Sequence, residues 1–142
     1  TLFSHVTGRD LFSECNATIL MRQGASVICD DFTHEQNLIL EEGQKAVLIA
    51  GCAHCGIVNI LRQTEAILGR MPDVVVGGFH LQSASAKMPE PEASIRAIGE
   101  VLSASGAVFY TGHCTGDEPF AILHEILGEQ IRPLHAGTMI HI

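Results

Sequence analysis

Basic residues are scarce in this chain: Lys and Arg together number 8 against 16 Asp and Glu, a formal charge of −8 over 142 residues. Neutralising a phosphate backbone needs a basic face, so a general nucleic-acid binder is excluded. The expected role of the acidic surface is solvation in a cytoplasmic setting. No apolar run approaches the roughly 18 residues that span a bilayer, so no membrane partner is expected. The opening Thr1-Leu2-Phe3-Ser4-His5 lacks the basic and apolar regions of a signal peptide. No internal repeat and no low-complexity linker occur, and the length is that of one domain. The five cysteines are an odd count, which is no disulfide framework and points to reduced thiols.

Nearly half of the chain is apolar, and the pattern of those residues changes along it. Residues 17–22, 25–30 and 35–41 read as strands, and Glu41-Glu42-Gly43-Gln44 as a hairpin turn. Residues 46–50 form a continuous apolar strand. Ile57, Ile60, Leu61, Ile67 and Leu68 then recur at helical spacing. A strand at 73–79 follows, then a loop with Ser83, Ser85, Pro89 and Pro91, and a helix marked by Ile95, Ile98, Val101 and Leu102. A strand at 107–110, a loop at 111–119, a helix through Phe120, Leu123, Ile126 and Leu127 and a closing strand at 131–142 complete the order. This β-α-β-α-β-α-β alternation predicts an α/β fold with parallel pairing of the later strands. Such strands are apolar on both sides. Three amphipathic helices cover one sheet face, and no second set exists for the other. A further layer is therefore expected, and the chain alone is not expected to be a stable monomer.

Three loops share a design. Gly51-Cys52-Ala53-His54-Cys55-Gly56, Gly77-Gly78-Phe79-His80 and Thr111-Gly112-His113-Cys114-Thr115-Gly116 each follow a strand and carry a histidine among glycines. Loops at the carboxyl edge of an open α/β sheet converge on one ligand site. His54, His80 and His113 are therefore expected on one rim. Helices start after His54 and after His113, and their first amides favour an anionic small-molecule substrate. Imidazole is the commonest protein ligand for zinc. His5, His124, His135 and His141 read as surface or packing residues. His34 lies in the polar turn Asp30-Asp31-Phe32-Thr33-His34-Glu35-Gln36. Turn chemistry from its Asp side chains is the favoured reading, with an approach of its acids to the site left open.

The thiols offer a rival. Cys52-x-x-Cys55 between a strand and a helix has redox-motif spacing, and a helix start lowers a thiol pKa. Against it, His54 sits inside the pair and Cys114 is unexplained. A Cys-rich structural zinc site lacks a second Cys-x-x-Cys. The alternative to a metal enzyme is thus a non-catalytic or thiol protein using Cys52 and Cys55.

The three motifs, with Ile57-Val58-Asn59-Ile60-Leu61 extending the first and Leu81 the second, resemble the later motifs of the metallo-β-lactamase superfamily. The nearest branch is that of β-lactamase-superfamily II metal-dependent hydrolases, whose relatives include dihydropterin ribofuranosyl-aminobenzene phosphate synthases. The resemblance runs the length of the chain, with its motifs in the expected order. It implies that residues 1–142 are the C-terminal half of a four-layer αββα sandwich, with the N-terminal half absent. It also implies a metal-dependent hydrolase, incomplete and inactive as this chain alone, with one or two Zn²⁺ (or Mn²⁺ or Fe²⁺). His54 and His113 match metal ligands. The His-x-His-x-Asp-His motif that supplies the other ligands is not in this sequence, nor is an acid at the strand end where a bridging Asp is placed. His80 occupies that neighbourhood, as a further ligand or as the substrate-facing catalytic acid/base. The implied partners are the missing half or a second copy of the chain.

Overall fold

A computed structural model of the chain describes residues 1–82 and 90–142. The loop with Ser83, Ser85 and Pro89 lies outside the described residues. A six-stranded sheet forms the centre. β1 (Leu2–Phe3) lies at one edge beside β4 (Asn37–Glu42), followed by β5 (Lys45–Ala50), β6 (Val74–Gly77), β7 (Val108–Thr111) and β8 (Ile131–Pro133). The β1–β4 and β4–β5 pairs are antiparallel. From β5 to β8 every pair is parallel, as the alternating order requires. A separate hairpin, β2 (Leu20–Gln23) and β3 (Ser26–Cys29), pairs Leu20 with Cys29 and Gln23 with Ser26.

The hairpin expected around Gly43 closes β4 on β5, with Glu42 opposite Lys45. Gly43 takes the left-handed φ of 60° that this tight turn demands. The register has a consequence for the site. Because β4 runs against β5, its start at Asn37 lies opposite Ala50, beside the first histidine loop.

Three helices connect the parallel strands: α1 (Ile57–Leu68), α2 (Glu92–Ser105) and α3 (Asp117–Leu127). α1 and α2 end on Gly69 and Gly106 in the left-handed conformation, the usual glycine stop. All three pack on one sheet face. The row Leu48, Val75, Phe109 and Ile131, in register across four strands, is at most 2% exposed and lies under them. Burying one such side chain contributes about 1.5–3 kcal/mol.

The adjacent row, Ile49, Val76, Tyr110 and Arg132, points to the other face. No helix lies there among the described residues. Val47, Val74 and Tyr110 form a small cluster, covered by Leu134 and Ile140 from the last segment. An open trough of about 750 Å³ remains beside them, lined by Leu40, Val47, Ile49, Val76, Ile140 and Ile142 among others. Leu40 and Ile49 are 49% and 38% exposed. The bare second face expected from the strand pattern is therefore present, narrowed by the C-terminal segment.

That segment departs from the sequence expectation. The closing strand spans Ile131–Pro133 and does not continue to residue 142. Pro133 has no N–H for a ladder bond, and a turn follows in which Thr138 N–H donates to the His135 carbonyl at 3.0 Å. The strand expected at 17–22 begins instead as a short 3-10 turn, Glu14–Thr18, capped by the Ser13 hydroxyl. Among the described residues, no helix is long and apolar enough to cross a membrane.

Candidate metal centre

The three motif loops leave β5, β6 and β7 at the same edge of the sheet. They are tied to one another by the backbone, Gly78 N–H donating to the Gly51 carbonyl at 2.8 Å and Gln82 N–H to the Cys114 carbonyl at 3.2 Å. Gly77 is required there, since a Cβ on it would lie 2.3 Å from the Ala50 carbonyl oxygen. Each loop also holds one non-glycine residue in the left-handed region: Ala53 at φ 54°, His80 at 48° and His113 at 53°. That conformation costs roughly 1–2 kcal/mol per residue. Such strain collects where the surrounding structure fixes a functional geometry.

The structure sorts the three histidines into two corners. In the first, the His54 and His80 rings lie 4.4 Å apart, centroid to centroid, at 59°. His54 stacks on Phe32 at 4.9 Å and 11°. The Glu35 carboxylate fixes this loop. Its Oε1 accepts the His54 backbone N–H at 2.7 Å and lies 3.2 Å from His54 Nδ1, and its Oε2 accepts the Cys55 N–H at 2.9 Å. Burial alone would raise the Glu35 pKa, but the hydrogen bonds from His54 and Cys55 outweigh it, and the net shift is downward. With Nδ1 engaged by a carboxylate, Nε2 of His54 is the ring nitrogen left free to act as a donor, the arrangement by which carboxylates orient metal-binding histidines. Asn16 Nδ2 donates to the His54 carbonyl at 2.7 Å.

His80 is buried, and neither ring nitrogen has a hydrogen-bond partner. Burial, then the neighbouring His54, pushes its pKa down to about 4. The ring is neutral at pH 7 and has a lone pair to offer. A buried polar group without a partner costs about 1–3 kcal/mol. A metal ion or a substrate proton removes that penalty, so the donor chemistry of this corner fits a metal. Its loop is anchored from below. The Ser13 hydroxyl lies 3.0 Å from the His80 carbonyl oxygen and 2.8 Å from Oε2 of the buried Glu90.

The second corner holds His113, which is exposed, with Cys52 and Cys114, both half-buried. One ligand atom from each lies within 4.8 Å of the other two. The three histidines form no such group among the described residues. A pocket of about 240 Å³ with a mixed polar and apolar lining opens beside His113, formed by Thr111, Thr115, Asp117, Phe120, Leu134 and His135 among others.

The Cys52–Cys55 pairing does not form as its spacing suggests. Cys55 is fully buried, and its Sγ donates to the Phe32 carbonyl at 3.3 Å. Burial, then the charge of Glu35, raises its pKa to about 12, opposite to the expected helix-start effect. Such a thiol is inert. Cys52 faces Cys114 instead, whose thiol is pushed up to about 12 by burial and by Cys52.

Glu35 is the acid of the 30–36 turn that reaches the site, the approach the sequence left open without naming the residue. Its signal was the 41–44 hairpin, whose register returns the start of β4 to the end of β5. The Asp residues of the same turn do what was expected of them. Asp30 and Asp31 accept the backbone N–H groups of Phe32 and Thr33 at 2.7 and 3.0 Å. His34 is exposed, His124 lies within α3, and His135 lines the pocket beside His113.

No protein-family model matches the sequence. Among curated proteins, a 7,8-dihydropterin-6-methyl-4-(beta-D-ribofuranosyl)-aminobenzene-5'-phosphate synthase of Methanocaldococcus jannaschii is 29% identical over 119 residues, which is 83% of this chain and 39% of that protein. Among solved structures, Tm1679, a metal-dependent hydrolase of the β-lactamase superfamily, superposes with a TM-score of 0.77 at 24% identity. That match covers 99% of this chain and 52% of the other. The chain thus spans about half the length of the solved relative and less of the curated one. With its loops, sheet order and one-sided helices accounted for, the chain has the fold of half of a metallo-β-lactamase-superfamily domain.

Proposed function

We propose that this chain supplies one wall of a metal-dependent hydrolase centre, with His54 and His113 as metal ligands and His80 as the group that accepts a proton beside them. One observation carries the reading: two imidazoles 4.4 Å apart at the loop edge, one with both nitrogens buried and unpartnered. A bound zinc ion, or manganese or iron in its place, lowers the pKa of a water and polarises a carbonyl or phosphoryl centre. Glu35 holds His54 in the tautomer and orientation a ligand needs. Burial keeps His80 neutral and ready to take a proton. The pocket beside His113 accepts a small molecule. The reaction type rests on the fold neighbour, since the curated relative is named a synthase.

The open sheet face supports the second part of the proposal. A further segment of the same protein covers the Leu40–Ile49–Val76 trough and completes the ligand set, because the fold neighbour is about twice as long as the stretch this chain matches. The unbridged thiols of Cys29, Cys52, Cys55 and Cys114 fit a reducing cytoplasm.

The metal assignment is tested by manganese uptake, followed by the loss of the free-ion EPR signal. His54→Ala and His113→Ala are expected to bind at least about tenfold more weakly, and His124→Ala as well as the parent. Full occupancy in both site variants would overturn the assignment. The open face is tested by sedimentation at micromolar concentration. Association is expected, and Ile49→Ser with Leu40→Ser should weaken it. Self-association that closes into dimers would point to a second copy as the covering layer. A compact monomer that binds no hydrophobic dye would end the half-domain reading.

A further inference from the structure

His113 sits among sulfur donors that neither the histidine pattern nor the Cys52-x-x-Cys55 spacing singled out. We propose that Cys52, Cys114 and His113 form a thiolate-rich Cys₂His site for a zinc-like ion, complete within this chain and distinct in donor chemistry from the His54–His80 corner. It shares His113 with the centre proposed above, so the two sites are alternatives at that imidazole, which serves one ion at a time.

The geometry is close to what such a site needs. Zinc takes sulfur at about 2.3 Å and imidazole nitrogen at about 2.0–2.1 Å, so tetrahedral donors stand roughly 3.4–3.8 Å apart. The three donor atoms already lie within 4.8 Å of one another, and the remaining ångström is within the reach of one χ rotation per side chain. The two thiols come from different loops, brought together by the sheet. Cys114 Sγ lies 3.6 Å from the Cys52 carbonyl oxygen. The fold clears space for it, since a Cβ on Gly78 would lie 2.6 Å from that sulfur. His113 is held at its position by Gly112, where a Cβ would meet the Leu134 carbonyl oxygen at 2.6 Å. The thiols are half-buried and the imidazole exposed, so an ion can enter and a fourth position stays open to the pocket beside His113.

The donor set also selects its ion. Two thiolates and one imidazole prefer zinc or another soft ion, whereas manganese prefers oxygen donors. Binding exchanges the two thiol protons for the metal, so about two protons are released per ion. No oxidant or reductant is involved.

The test uses the reduced chain and cobalt(II) as a spectroscopic stand-in for zinc. The parent should show a thiolate-to-cobalt charge-transfer band that zinc abolishes and manganese does not. Cys52→Ser and Cys114→Ser should each lose most of the band and weaken zinc binding at least about 100-fold. His113→Ala should weaken zinc binding about tenfold or more. Cys29→Ser, Cys55→Ser and His54→Ala should keep the band. In a second measurement, zinc should protect Cys52 and Cys114 from alkylation while the exposed Cys29 reacts equally with and without it. Cobalt bound with no charge-transfer band, or equal alkylation of Cys52 and Cys114 with and without zinc, would overturn the site. Loss of the band in His54→Ala with retention in Cys52→Ser would also overturn it, while leaving the imidazole assignment standing.

Discussion

The two corners of the loop edge are built from different materials. At His54 and His80 the rings are held from outside their loops by Glu35, Phe32 and Asn16, and below them by Ser13 and Glu90. At Cys52, Cys114 and His113 the donors rest on glycine-spaced backbone and are partly open to solvent. The first corner is preorganised and rigid because five residues distant in sequence converge on it. The second adjusts, because a thiol on one χ angle moves at little cost. A rigid corner suits holding imidazoles at fixed separation, and an adjustable one suits closing on an ion of defined size.

The largest effect should come from removing the anchor of the rigid corner. Glu35→Ala leaves the His54 and Cys55 N–H groups without their acceptor, at about 2–4 kcal/mol in total. Denaturant unfolding should show that loss, and Glu35→Gln should recover part of it. An unchanged midpoint in Glu35→Ala would mean that the rigid corner is held by other contacts.

Gly78→Ala tests the adjustable corner. Its Cβ would lie 2.6 Å from Cys114 Sγ. A crowded side chain must shift, at about 1–3 kcal/mol. Zinc affinity should fall with it, whereas manganese uptake governed by His54 should not. Equal loss of both metals would show the corners to be one unit.

A smaller effect is expected at the opposite end of the sheet, where Asp73 gives a reference for both corners. Its carboxylate accepts the Ala46 N–H at 2.9 Å and pairs with Lys45 and Arg70 at 3.0 Å each. The Ala46 hydrogen bond, then the Lys45 one, lowers its pKa to about 2. The folded value lies below the ordinary one, so this stabilisation is present above pH ~4 and is lost as pH falls toward 2. After screening at a partly exposed site it is worth about 1 kcal/mol. In Asp73→Asn the decline in stability between pH 4 and 2 should be shallower, and metal binding at pH 7 unchanged.

The smallest effect separates the buried thiol from the exposed ones. Cys55→Ser should keep the hydrolysis proposed above for the whole protein within about tenfold, or 1.4 kcal/mol in the barrier, since the hydroxyl can still donate to the Phe32 carbonyl. Activity that tracks oxidation in the parent, and not in the double variant with Cys52→Ser, would return the redox reading.

Much of this molecule is legible in its sequence, because local rules govern it. Apolar spacing marks the three helices, and the βα alternation fixes parallel pairing from β5 to β8. Glycines beside histidines place three loops at one edge, and apolar residues at consecutive positions give a sheet with a bare face. The closing strand misled because Ile140 and Ile142 are apolar without being paired. They serve the trough beside Val47 and Val76, and apolarity alone does not separate a strand from a covering segment.

Position along the chain is enough to bring His54, His80 and His113 to the edge, with Cys52 and Cys114 beside them. Which of them become neighbours was settled by the folded packing. It turned Cys55 into the core and gave Cys52 the partner Cys114, 62 positions away, and it set His80 against His54 and Glu35 beneath them. The physical reason is that spacing along a chain fixes which face or edge a residue occupies. The distance between two loop side chains depends instead on strand register, on left-handed turns such as those at Ala53, His80 and His113, and on what packs beneath them.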